Sequence, residues 1–128
     1  MICLSVDPGQ TNVAVIVVLV NKLKQTIEIL HSSIILHPSD CLVSFYSTLY
    51  REIGLLYDLY DVELTTIENQ QKATNRKYYK HNLFNTNAQA IVYTMAKLKN
   101  SAIYFVSPQQ WHKLLLGKKK GIRMHRIL

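Results

Sequence analysis

Three β-type runs crowd the first 36 residues, and beyond them helical and β periodicities alternate. Ile2 to Val6 is a short apolar strand, Ala14 to Val20 a β-branched run, and Thr26 to Leu36 a segment with partial alternation. The polar connection Asn21-Lys22-Leu23-Lys24 is short enough for a hairpin. Pro38-Ser39-Asp40 announces a helix, with Ser39 or Asp40 available as N-cap. Leu42, Phe45, Leu49, Ile53, Leu56 and Tyr60 follow at steps of three and four, one face of a long helix. Glu63 to Ile67 is β-rich and ends at Glu68.

Asn69 to Asn82 is polar and basic without apolar periodicity, which predicts a loop or a helix entrance. Phe84, Ala88, Ile91, Met95 and Leu98 then form one stripe of a second helix, and Ala102 to Val106 is another strand. Ser107-Pro108 is a helix start, an N-cap followed by proline at the first helical position. Trp111, Leu114 and Leu115 supply that helix with an apolar face, and Gly117 ends it. A basic loop, Gly117-Lys118-Lys119-Lys120-Gly121, precedes the opening turns of a further helix over Ile122 to Leu128.

This order predicts an α/β domain with a mixed sheet: three antiparallel strands, then two parallel strands reached through helical crossovers. Strands joined by such crossovers run parallel and usually adjacent. The strands ending at Asp7 and Glu68 can therefore lie side by side, with both carboxylates at one sheet edge, where open α/β sheets bind ligands. At 128 residues, with neither an internal repeat nor an interdomain linker, the chain reads as a single domain over 1–128.

Composition narrows the class. With 48% hydrophobic residues the chain is not disordered, and its longest apolar run, Val13 to Val20, is too short to span a bilayer. Cys3 and Cys41 lack metal-ligand spacing and are too few for a disulfide scaffold, and no secretory signal is visible. The expected location is the cytoplasm, whether bacterial or that of a host cell in which a virus replicates, ahead of the mitochondrion. Charge is divided sharply. All eight acidic side chains lie within the first 68 residues, whereas twelve of the fifteen Lys and Arg lie in the last 60. A half so basic points to a polyanionic partner, nucleic acid first.

Two carboxylates brought together repel each other, and a hard divalent cation, Mg²⁺ or Mn²⁺, relieves that repulsion. Phosphoryl chemistry uses such cations to activate water and to stabilise a leaving oxygen. Asp7 and Glu68 are thus candidate metal ligands and catalytic residues, although a turn cap and an ordinary strand-end carboxylate are their bland alternatives. Lys72, Arg76, Lys77, Tyr78, Tyr79 and Lys80 mix cations with aromatics that can stack on unpaired bases, and Lys118, Lys119, Lys120 and Arg123 form a second basic cluster. Both are candidate DNA contacts. Trp111 reads as core, His31 and His37 as structural, and Cys3 as a buried thiol.

Three stretches resemble the RuvC-type Holliday junction resolvases. Ser5-Val6-Asp7-Pro8-Gly9-Gln10-Thr11-Asn12 before a β-run looks like their first strand, and Thr66-Ile67-Glu68-Asn69-Gln70 like their second acidic motif. Asn87-Ala88-Gln89-Ala90-Ile91-Val92 through Val106-Ser107-Pro108-Gln109-Gln110-Trp111, then Gly117 and the lysines, follows their later elements in order. The wording is nearest to the viral (poxvirus-like) and mitochondrial branches. The resemblance implies an RNase H-like fold, a homodimer, and Mg²⁺-dependent hydrolysis of one strand of a four-way DNA junction by each subunit. Carried over, Asp7 is the first metal ligand and Glu68 the second.

The family adds two acidic ligands, or a variant with His, on a last helix. Here no Asp or Glu follows Glu68, and His125 falls too early for that spacing. The expectation is a domain cut short at that helix, with a non-catalytic junction-binding or structural module as the alternative function. An actin-like or sugar-kinase ATPase needs a second Asp-x-Gly and a glycine-rich adenosine motif. The chain has four glycines and neither motif, so no nucleotide cofactor is expected.

Overall fold

The computed structural model describes residues 1–9, 12–36, 42–68 and 79–107. Its elements are β1 (Ile2–Pro8), β2 (Asn12–Asn21), β3 (Thr26–Leu36), α1 (Leu42–Leu59), β4 (Leu64–Glu68), α2 (Tyr79–Leu98) and β5 (Ala102–Val106). The five strands form one sheet of order β3-β2-β1-β4-β5. β1, β2 and β3 pair antiparallel, while β4 pairs parallel with β1 on one side and β5 on the other. This is the mixed sheet that the order of periodicities predicts.

Local chemistry explains the connections. In the β2–β3 hairpin the Lys24 amide donates to the Asn21 side-chain oxygen at 3.1 Å, and Gln25 takes a positive φ of 53° to re-enter the ladder. A bulge between Val17 and Val18 then shifts the register of this long pair. At the other end of the sheet, α2 stops because Asn100 adopts the left-handed conformation, φ 58°. Its amide donates to Lys97 O at 3.2 Å and the Ser101 amide to Ala96 O at 3.0 Å, a Schellman closure that turns the chain directly into β5.

One face of the sheet makes the core. Leu4 and Val6 of β1, Val13, Val15 and Val17 of β2, and Ile67 of β4 pack with Phe45, Leu49, Ile53 and Leu56 of α1 and with Ala88, Val92 and Met95 of α2. Phe45, Leu49, Ile53 and Leu56 of the predicted α1 stripe lie on this face, while the Leu42 side chain is outside what is described; Tyr60, at the end of the stripe, is half-buried and donates its hydroxyl to Leu30 O at 3.2 Å. The α2 stripe needs a correction. Leu98 is 64% exposed, and Val92 and Ala96 are buried instead. The buried row runs through 88, 92, 95 and 96, so Leu98 lies off it in the turn that Asn100 closes. Helix α2 also begins at Tyr79, inside the stretch read as a loop or helix entrance.

Three hydroxyls tie this core together. Tyr57 of α1 and Ser101 both bond to Thr65 of β4, the Thr65–Ser101 pair at 2.8 Å. Burial pushes the Tyr57 phenol above its ordinary pKa, and its bonds to Thr65 and Ser101 oppose that shift. Among the described residues no buried side-chain nitrogen or oxygen lacks a partner. None of their helices is long and apolar enough to cross a membrane. The candidate N-caps Ser39 and Asp40, and all predictions for residues 108–128, lie outside the described residues.

Candidate active site

Side chains alternate across a strand. With Leu4 and Val6 in the core, β1 turns Cys3, Ser5 and Asp7 to the opposite face; with Thr65 and Ile67 in the core, β4 turns Thr66 and Glu68 there too. The parallel register pairs Ser5 with Thr66 and Val6 with Ile67. One residue further along both strands stand Asp7 and Glu68. The predicted juxtaposition is therefore present, at the C-terminal ends of two adjacent parallel strands.

Asp7 is exposed and Glu68 half-buried. The Glu68 carboxyl is pushed up to about 7, first by burial, then by the hydrogen bond it donates in protonated form to Asp7, and then by the Asp7 charge itself. The donor set, two hard oxygen ligands on rigid strands, suits Mg²⁺ or Mn²⁺. Among the described residues no group of three His, Cys, Asp or Glu side chains converges. The site as described thus offers two ligands.

The turn after Asp7 is tight. A Cβ on Gly9 would meet Asn12 O at 3.0 Å and Asn12 Oδ1 at 3.1 Å, so glycine lets β2 return close to the end of β1. On the same face as Asp7, Cys3 is buried, as expected, and burial leads the effects that raise its thiol pKa. His31 lies on β3 and bonds Ser33 Oγ through Nε2 at 3.0 Å, a structural contact.

The candidate DNA contacts fall mostly elsewhere. Lys72, Arg76, Lys77, Tyr78, Lys118, Lys119, Lys120 and Arg123 lie outside the described residues. Tyr79 and Lys80 open α2, and their side chains are not described. Because α2 returns from the end of β4 to the start of β5, its first turn belongs to the carboxylate end of the sheet. Reading the sequence alone missed the bond between Ser5 Oγ and Thr66 Oγ1, 2.6 Å, directly beneath the acidic pair. The signal was available: each hydroxyl stands two residues before its acid.

No protein-family model matches the chain, and no curated protein matches it. Solved structures do. Thermus thermophilus RuvC aligns with a TM-score of 0.79 at 18% identity, covering 96% of this chain and 74% of that one. The same protein in complex with a Holliday junction substrate gives 0.79 at 16%, covering 91% and 72%. The fowlpox virus Holliday junction resolvase gives 0.57 at 15%, covering 99% and 68%. The yeast mitochondrial Holliday junction resolvase gives 0.61 at 14%, covering 89% and 57%. A mixed sheet of this order with helical crossovers is the RNase H-like fold, which this chain shares with those structures.

Proposed function

We propose that the chain is a divalent-metal-dependent, structure-specific endonuclease that resolves four-way DNA junctions by hydrolysing a phosphodiester. The observation that carries this reading is the Asp7–Glu68 pair at the carboxyl ends of β1 and β4, with Glu68 raised to about 7 by burial and by Asp7. It stands on the fold of proteins whose structures include a complex with junction DNA.

In this reading Asp7 and Glu68 hold Mg²⁺ or Mn²⁺, which when bound activates water and neutralises charge on the leaving oxygen. Asp7, the more exposed of the two, meets the phosphate side of the site, and a bound cation would favour the ionised form of Glu68 by offsetting its neighbour. The basic residues Lys72, Arg76, Lys77, Lys80, Lys118, Lys119, Lys120 and Arg123 pair with phosphates, and Tyr78 or Tyr79 stacks on an unpaired base at the crossing point. The twelve basic side chains past Glu68, with no acid among them, support that assignment. A homodimer, acting in the cytoplasm, would give each of two symmetric strands its own site.

The test is cleavage of a synthetic four-way junction against linear duplex with Mg²⁺ or Mn²⁺. Wild type is expected to nick the junction, and Asp7→Asn to lose about a hundredfold to a thousandfold in rate, as removal of a principal charge-stabilising group does. Equal treatment of junction and duplex, or full activity in Asp7→Asn, would overturn the proposal. The second reading, a module that binds junctions without cutting them, draws on the two-ligand site; junction-selective binding without nicking is its signature.

A further inference from the structure

The pairing of β1 with β4 ends where the acids begin. Its register runs from Cys3–Leu64 to Val6–Ile67 and stops there. Asp7 still pairs with Ala14 on β2, and Glu68 with Val106 on β5, so the backbone of each acid is held by its outer neighbour, while the two carboxyls meet through the hydrogen bond that protonated Glu68 donates to Asp7. Once both acids are ionised, their like charges across this end push the strands apart. On their face of the sheet, Ser5 Oγ and Thr66 Oγ1, 2.6 Å apart, make the last cross-strand side-chain bond before them. It lies two residues back on each strand, about 7 Å along the sheet.

We propose that the Ser5–Thr66 hydroxyl pair is a positioning element that fixes the separation of the Asp7 and Glu68 carboxylates and thereby the affinity of the cation they share. The inference rests on the metal-site reading given above. Neither hydroxyl touches the cation or the substrate; both act through the backbone. Two features single this bond out from ordinary sheet packing. It is a short O–H···O contact, at the tight end of hydroxyl geometry. It also complements a second clamp one residue earlier: Thr65, facing the core, is bonded to Tyr57 and Ser101. β4 has only five residues, and successive threonines fasten it on both faces just before the glutamate it presents. The Thr65 clamp fixes β4 against the helices, and the Thr66 bond fixes it against β1. The second acts on the gap between the two strands that carry the acids.

The test uses the whole chain, with Mn²⁺ as probe and with amide hydrogen exchange. Ser5→Ala and Thr66→Val are each expected to weaken Mn²⁺ binding about tenfold, the lower end of the loss seen when groups that orient metal ligands are removed. Both should also speed exchange of the Val6 and Glu68 amides, which lie in the β1–β4 ladder, about tenfold, while the Asp7 amide, paired to β2, keeps its protection. The double variant is expected to do no more than either single one, because one bond is lost in all three. Ser5→Thr, which keeps the hydroxyl, restores both readouts. Unchanged exchange at Val6 and Glu68 with unchanged Mn²⁺ binding would overturn the proposal, as would equal loss in Ser5→Thr. If Asp7→Asn leaves Mn²⁺ binding intact, the metal-site reading fails, and the exchange measurement still decides whether the hydroxyl pair fixes the strand ends.

Discussion

Thr65 and Thr66 are chemically identical neighbours on β4, yet they serve opposite faces of the sheet. Thr65 is fully buried, at the centre of a hydroxyl cluster that joins α1, β4 and the start of β5. Thr66 is half-buried and joins β4 to β1 beneath two like charges. On the core face every contact lowers the energy of the fold. On the site face the strands hold Glu68 where burial and the neighbouring Asp7 disfavour its ionisation. The pleat separates the two tasks by a single residue, so a stable face holds an unfavourable one in place.

That contrast can be broken from either side. The largest effect on stability belongs to the core: Phe45 is fully buried against both layers, and Phe45→Ala should cost about 3–5 kcal/mol in denaturant unfolding. A smaller loss would mean that the helices collapse onto the sheet more readily than their packing indicates. Next comes Thr65→Val, which keeps the volume and deprives Tyr57 and Ser101 of their common partner. About 1–3 kcal/mol should be lost, with β1 and the acids unaffected. If Thr65→Val weakened Mn²⁺ binding as much as Thr66→Val does, the two faces would not be independent.

The smallest effect has the opposite sign. Glu68 is raised from 4.5 to about 7 in the folded chain, so the native state holds its proton more tightly than the unfolded chain does. Its contribution to stability is fully present below pH 4.5 and is lost as pH rises through 7. Glu68→Gln removes that loss. In metal-free buffer at pH 8 the variant should therefore be more stable than wild type by roughly 1 kcal/mol, discounted for the solvent that reaches the group. At pH 4 the two should match. Melting curves at both pH values check this, and a variant less stable at pH 8 would show that Asp7 and Glu68 do not repel.

Much of this was legible in the sequence because it depends on period and order. Phe45, Leu49, Ile53 and Leu56 declare their face by spacing alone, and the β1–β4 adjacency follows from the crossover rule without knowledge of any contact. What escaped depends on register or on chain ends. The Ser5–Thr66 bond joins residues 61 apart, and only the pairing of two strands reveals it. Leu98 fits the helical stripe on paper, but the left-handed Asn100 closes the helix and leaves Leu98 in solvent. Tyr57 reads as an amphipathic helix residue, and its hydroxyl partner on β4 is invisible until the helix is docked.

The central place of β1 also governs the order in which the domain can assemble. Its pairing with β2 closes a turn of a few residues, whereas its pairing with β4 must wait for the whole of β3 and α1 to be traversed. Loop-closure entropy rises with the chain enclosed, and nonlocal pairings are slow to form. The β1–β3 meander can therefore form while Asp7 still faces water alone. The two acids meet only on the last closure that β1 makes, so the site matures after the scaffold beside it.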